Sequence, residues 1–86
     1  MSISVEQIKA ARAILGISAA ELSKISSVGG TTIRRYEMGQ GIPNANLQNI
    51  IKIKNALESQ GIQFIGDPLK NPGVILHLDK QSSHDE

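Results

Sequence analysis

The sequence contains no cysteine and no tryptophan, and only one Phe and one Tyr among 86 residues. Without cysteine there can be no disulfide, no thiolate chemistry and no Cys-ligated zinc, and an intracellular setting is expected. The core must be built from Ile, Leu, Val and Ala, which favours interlocking short helices over an aromatic-rich β-sandwich. The length excludes a multidomain enzyme and a doubly wound cofactor-binding fold. No apolar run approaches the ~20 residues that span a bilayer. The opening MSISVEQIKAAR lacks the basic-then-apolar order of a signal peptide, so no membrane partner is expected and the cytoplasm is the expected location.

Charge of either sign is also scarce in sum, with a formal net charge of +1. Its distribution is uneven. Residues 1–60 hold seven bases (Lys9, Arg12, Lys24, Arg34, Arg35, Lys52, Lys54) against four acids (Glu6, Glu21, Glu37, Glu58), a balance of +3. Residues 61–86 hold Lys70 and Lys80 against Asp67, Asp79, Asp85 and Glu86, a balance of −2.

Ser4-Val5-Glu6-Gln7 has the pattern of a capping box, followed by Val5, Ile8, Ala11 or Arg12, and Leu15 at helical spacing and by Gly16 as a stop. Ser18-Ala19-Ala20-Glu21 repeats the device two residues later, with Leu22 and Ile25 as the expected buried pair of a second helix. Gly29-Gly30 interrupts the pattern, and Thr31 to Met38 resumes it around Ile33 until Gly39. After a glycine-containing loop, Asn44 or Asn46 caps the longest helix, whose Leu47, Ile50, Ile51, Ile53 and Leu57 are expected to line one broad side before Gly61 ends it. From Gly61 the period shifts toward two. Ile62 to Ile65 and Val74 to Leu78 read as strands joined by a loop rich in turn residues, an antiparallel hairpin. An isolated hairpin is marginal in water, so this one must pack on the last helix, on a second copy, or on both.

Leu22 to Gly39, LSKISSVGGTTIRRYEMG, resembles the helix-turn-helix of the Xre/Cro family of phage and bacterial transcriptional regulators. Leu22, Val28, Thr32, Ile33, Glu37 and Gly39 fall on the family pattern in register, and the likeness extends from Arg12 to about Leu57. The resemblance implies a mainly α fold, a four-to-five-helix lambda-repressor-like DNA-binding domain over residues 1–60. The hairpin of residues 61–78 and a disordered tail of residues 79–86 follow. It also implies an Arg12–Glu37 pair tying the first helix to the third. Helical geometry agrees: at ~100° per residue Glu37 lies close to the inward direction of Ile33 and needs a partner if buried.

The residues expected to meet DNA are Ser18, Ala19, Gly30, Thr31, Thr32, Arg34 and Arg35. The capped start of the second helix would offer amides and a positive dipole end to a phosphate. The third helix would enter the major groove with a short polar residue and two guanidinium groups, base readout being expected to fall on Thr31, Arg34 and Arg35. The sequence departs from the family pattern on this face: Ala19 stands where the family often has Gln, Ser23 and Ser27 tolerably replace the usual Ala and the Gly of the turn, Gly29 replaces the usual Ser cap, and Gly30 takes a position that is frequently a contact residue.

Plainer readings compete. Adjacent arginines on a helix are usually a solvated face, and only their place in the motif turns Arg34 and Arg35 toward nucleic acid. Arg12 and Glu37 are read as a structural pair, not a site. His77 and His84 have no second ligand at i+3 or i+4 and no nucleophile nearby, so neither a metal, a cofactor nor an enzymatic activity is expected. The apolar residues on both faces of the hairpin predict a homodimer through the hairpin or the last helix, or a protein partner adding a strand to the open edge. The expected function is sequence-specific binding of double-stranded DNA by a repressor-like dimer. The alternative is an interaction module or antitoxin-like partner that has lost DNA binding.

Overall fold

The computed structural model describes residues 2–80. Four α-helices, α1 (Val5–Leu15), α2 (Ala19–Ser26), α3 (Gly30–Glu37) and α4 (Leu47–Ser59), precede the strands β1 (Ile62–Ile65) and β2 (Gly73–Leu76). The expected four-to-five helices are therefore four, followed by the expected hairpin. The second strand stops at Leu76, and Leu78–Lys80, where the expected tail begins, turn as a short 3-10 segment. Residues 81–86, including His84, lie outside the described residues. No described helix is long and apolar enough to cross a membrane.

Three of the four helices begin where a side chain satisfies orphan amides. The Ser4 hydroxyl accepts from the Gln7 amide at 3.2 Å while Gln7 Oε1 accepts from the Ser4 amide at 3.0 Å. Ser18 and Glu21 repeat the exchange at 3.0 and 2.8 Å. Asn46, of the two candidates, caps α4 by accepting from the Asn49 amide. Gly29 precedes α3 and offers no side chain to cap it. Gly16 ends α1 in the left-handed region, φ 70°, whereas α2 ends with Ser27 in the same region at φ 63°. Ser27 thus accepts the conformation that glycine would adopt without steric cost.

Ile8, Leu22, Ile33, Ile53 and Leu57 are fully buried at the centre of a core that also takes in Ile3, Val28, Tyr36, Ile50 and Ile62. Three residues expected inside are outside. Ile25 is 44% exposed, because the eight-residue α2 buries Leu22 and Ser26 one turn apart and turns Ile25 off that line. On α4 the buried arc runs through Ile50, Ile53, Ala56 and Leu57. At ~100° per residue Leu47 and Ile51 lie about 60° and 100° beyond Ile50 on the side opposite Ile53, and they are 70% and 39% exposed.

The strands pair antiparallel in the register Ile62–Leu76, Gln63–Ile75, Phe64–Val74 and Ile65–Gly73. Ile62, Phe64, Val74 and Leu76 face the helices, and Ile65 and Ile75 face out. β1 lies against α4 as expected, but β2 lies against α1, a contact the sequence did not foretell. Gln7, 2% exposed, makes that junction: its Nε2 donates to the carbonyls of Ile65 at 3.1 Å and Gly73 at 3.0 Å. The same side chain closes the α1 capping box, so both ends of a buried amide are satisfied.

Candidate nucleic-acid interface

The two short helices α2 and α3 are joined by Ser27, Val28 and Gly29, a turn made tight by the left-handed Ser27 and by the Ser26 hydroxyl accepting from the Val28 amide at 3.2 Å. Val28 is buried and anchors the turn to the core. α3 is held from within by Ile33 and Tyr36. The Tyr36 hydroxyl accepts from Asn49 Nδ2 at 3.0 Å, fixing α3 to α4.

Arg12 holds α3 from the other side. Its Nε and Nη2 donate to the two carboxylate oxygens of Glu37 at 2.8 and 2.6 Å, and its Nη1 donates to the Ile17 carbonyl at 3.0 Å. One guanidinium thus joins the end of α1, the α1–α2 connection and the end of α3. The bond to Glu37 raises the Arg12 pKa against the opposing effect of burial.

The opposite face of α3 is open. Thr31, Arg34 and Arg35 are exposed, while Gly30 and Thr32 are half-buried. The two arginines diverge. Both terminal nitrogens of Arg34 reach back to the first turn of the helix, 3.5 and 3.9 Å from where a Cβ on Gly30 would stand, a position that Ser23 Cβ of α2 also approaches at 3.8 Å. Arg35 lines an open depression with Tyr36, Gly39, Gln40 and Asn44. Ser23, Gln40 and Asn44 were not among the candidate residues. The one signal near the first was the i, i+4 spacing of Gly30 and Arg34, which lays the long side chain over the first turn of α3.

The start of α2 is less open than expected. Ser18 is exposed and Ala19 half-buried against the core. The Ser18 hydroxyl takes the Glu21 amide and the Glu21 carboxylate takes the Ser18 amide, so a negative charge sits at the positive end of the helix. Only the amides of Ala19 and Ala20 remain without an acceptor at that end among the described residues. Among the described residues no group of His, Cys, Asp or Glu could hold a metal ion, and His77 Nε2 lies 2.6 Å from Gln63 Oε1.

A family model described as helix-turn-helix matches residues 8–60, more than half of the chain and the span from α1 to the end of α4. The chain belongs to the Xre/Cro-type helix-turn-helix family. No curated protein and no solved structure gives a significant match. Helix-turn-helix membership supports a function of the DNA-binding, transcription-regulator type, in a family that is typically non-enzymatic. The matched span contains α2, the turn and α3, the two helices and turn that give the motif its name.

Proposed function

We propose that the protein binds double-stranded DNA sequence-specifically, as a homodimer with α3 in the major groove, and acts as a repressor-like transcriptional regulator. The observation that carries this reading is the division of α3: Ile33 and Tyr36 inward, Glu37 locked to Arg12, and Thr31, Arg34 and Arg35 outward. A guanidinium pairs with O6 and N7 of guanine, and a Thr methyl meets thymine. Gly30 and Thr32 bring the backbone of the first turn close to the groove, and the free amides beside Ser18 and Ala19 contact a phosphate. Two copies related by a twofold axis would set their recognition helices one DNA turn, ~34 Å, apart on a palindrome. The outward Ile65 and Ile75 and the outward Leu47 and Ile51 are the apolar surfaces that favour a second copy.

A shift assay with random duplex across a salt series tests DNA binding. Affinity that falls steeply as salt rises is the expected result, because each phosphate contact releases counterions. Absence of binding at low salt would overturn the proposal. It would favour the second reading, an interaction module or antitoxin-like partner, to which the Glu21 carboxylate at the start of α2 and the missing side chains of Gly29 and Gly30 point.

A further inference from the structure

We infer that Arg34, lying in the space left open by Gly30, is the residue that reads a guanine edge, and that Arg35 grips the DNA backbone. This rests on the proposed binding of α3 in the major groove. The sequence alone spreads base readout over Thr31, Arg34 and Arg35; the positions of the two guanidinium groups favour Arg34. The first turn of a recognition helix is the part that meets base edges. Gly30 is the first residue of α3 and brings no side chain there. Arg34, one turn later, folds back to supply one, its Nη1 and Nη2 within 3.5 and 3.9 Å of the position of a residue-30 Cβ.

The guanidinium is available in that place. Among the described residues no carboxylate or carbonyl accepts from it, and Ser23 Cβ lies 3.8 Å from the same residue-30 Cβ position. Its planar fork of donors is therefore free to pair with guanine O6 and N7. An alanine Cβ at position 30 would only touch it, but a longer side chain would extend into the same space. Gly30 is in this sense the residue that lets Arg34 read. Arg35 follows ~100° further round the helix and faces the loop that carries Gly39, Gln40 and Asn44. Beside that loop it is placed to meet the phosphates that flank the groove.

The test starts from selection of bound sequences out of a random duplex pool by the full chain, followed by titration of the selected and random duplexes with Arg34→Ala, Arg35→Ala and Gly30→Gln. Circular dichroism confirms that each exposed-face variant is folded. Arg34→Ala is expected to lower affinity for the selected site by about 10- to 100-fold, to flatten the preference at one G·C pair and to change random-duplex binding far less. Arg35→Ala is expected to weaken both duplexes by the same factor and to reduce the salt slope by about 1. Gly30→Gln is expected to shift the preferred base at that pair from G toward A. Equal losses on both duplexes for Arg34→Ala, or flattening by Arg35→Ala instead, would overturn the inference while leaving DNA binding intact. Failure of the unmodified chain to bind any duplex at low salt would overturn both.

Discussion

Arg12 and Glu37 form a two-pronged ion pair, Nε and Nη2 on the two carboxylate oxygens, with side chains only 23% and 11% exposed. The pair crosses from α1 to α3 and fixes the orientation of α3 without touching its open face.

Removing either partner leaves a largely buried charge without its counterion. Arg12→Met and Glu37→Leu are each expected to cost about 2 to 3 kcal/mol in a denaturant melt. The double variant is expected to cost less than the sum, with a coupling of ~1 to 2 kcal/mol. Strictly additive losses would mean that the two groups do not act together. Arginine is not deprotonated in proteins, so even without Glu37 the guanidinium stays charged, and raising pH to 10 should not relieve the loss in Glu37→Leu.

Gln7 offers a test of how the hairpin is attached. Gln7→Leu leaves the carbonyls of Ile65 and Gly73 and the amide of Ser4 without their partner, at an expected cost of about 2 to 3 kcal/mol. Hydrogen exchange of the β1 and β2 amides should accelerate before that of α2 and α3. Gln7→Glu keeps the acceptor for Ser4 but turns a second oxygen toward two carbonyls, which raises the carboxyl pKa in the folded state. A raised folded pKa means that the variant is stabilised below the ordinary value of ~4.3 and loses that stability as pH rises through the folded pKa. The deficit against the parent should therefore be larger at pH 7 than at pH 4; the opposite trend would remove Gln7 from this role.

These two residues also mark what the sequence reveals. Both capping boxes, the left-handed stops and the Arg12–Glu37 pair were legible, because caps are local i, i+3 patterns and the pair follows from the motif. The reach of Gln7 to carbonyls 58 and 66 residues away was not, since the same side chain already has a complete local role. Tyr36 was missed for a similar reason: its place depends on Asn49 from another helix. Ile25, Leu47 and Ile51 were misplaced because an apolar period fixes which residues could face inward, and the width of the buried arc is set by what packs against the helix. At the interface, α3 and its outward residues were legible, but the divergence of Arg34 from Arg35 is a matter of rotamer, on which spacing is silent.

The turn between α2 and α3 leaves room for stabilisation. Gly29 has φ −56° and ψ 141°, and a Cβ there would meet only Thr32 Oγ1 at 3.7 Å. Gly29→Ser can supply the missing cap to the Thr32 amide and stiffens the unfolded chain. A gain of about 0.5 to 1 kcal/mol is expected, or roughly 2 to 8 °C in Tm for a domain of this size. At Ser27, φ 63°, glycine should be neutral to stabilising, whereas Ser27→Val should cost more than about 1 kcal/mol. A melting series that ranks valine above glycine at this position would contradict the strained geometry.

The proposed dimer has two apolar surfaces to choose between, and charge substitutions separate them. Ile75 and Ile65 share the outer face of the hairpin, and the two-stranded sheet leaves both of its edges unpaired among the described residues. Leu47 and Ile51 stand one turn apart on the outer side of α4. Ile75→Lys and Ile51→Lys each place a charge on an exposed position, so neither should lower monomer stability by more than ~0.5 kcal/mol. Sedimentation at micromolar concentration is expected to show a dimer for the parent and a monomer for whichever variant lies in the interface. That variant should bind a palindromic duplex far more weakly but a single half-site almost unchanged, since each recognition helix is intact and only its tether is lost. A parent that sediments as a monomer would remove the dimer, and a dimer that survives both substitutions would place its interface on neither surface.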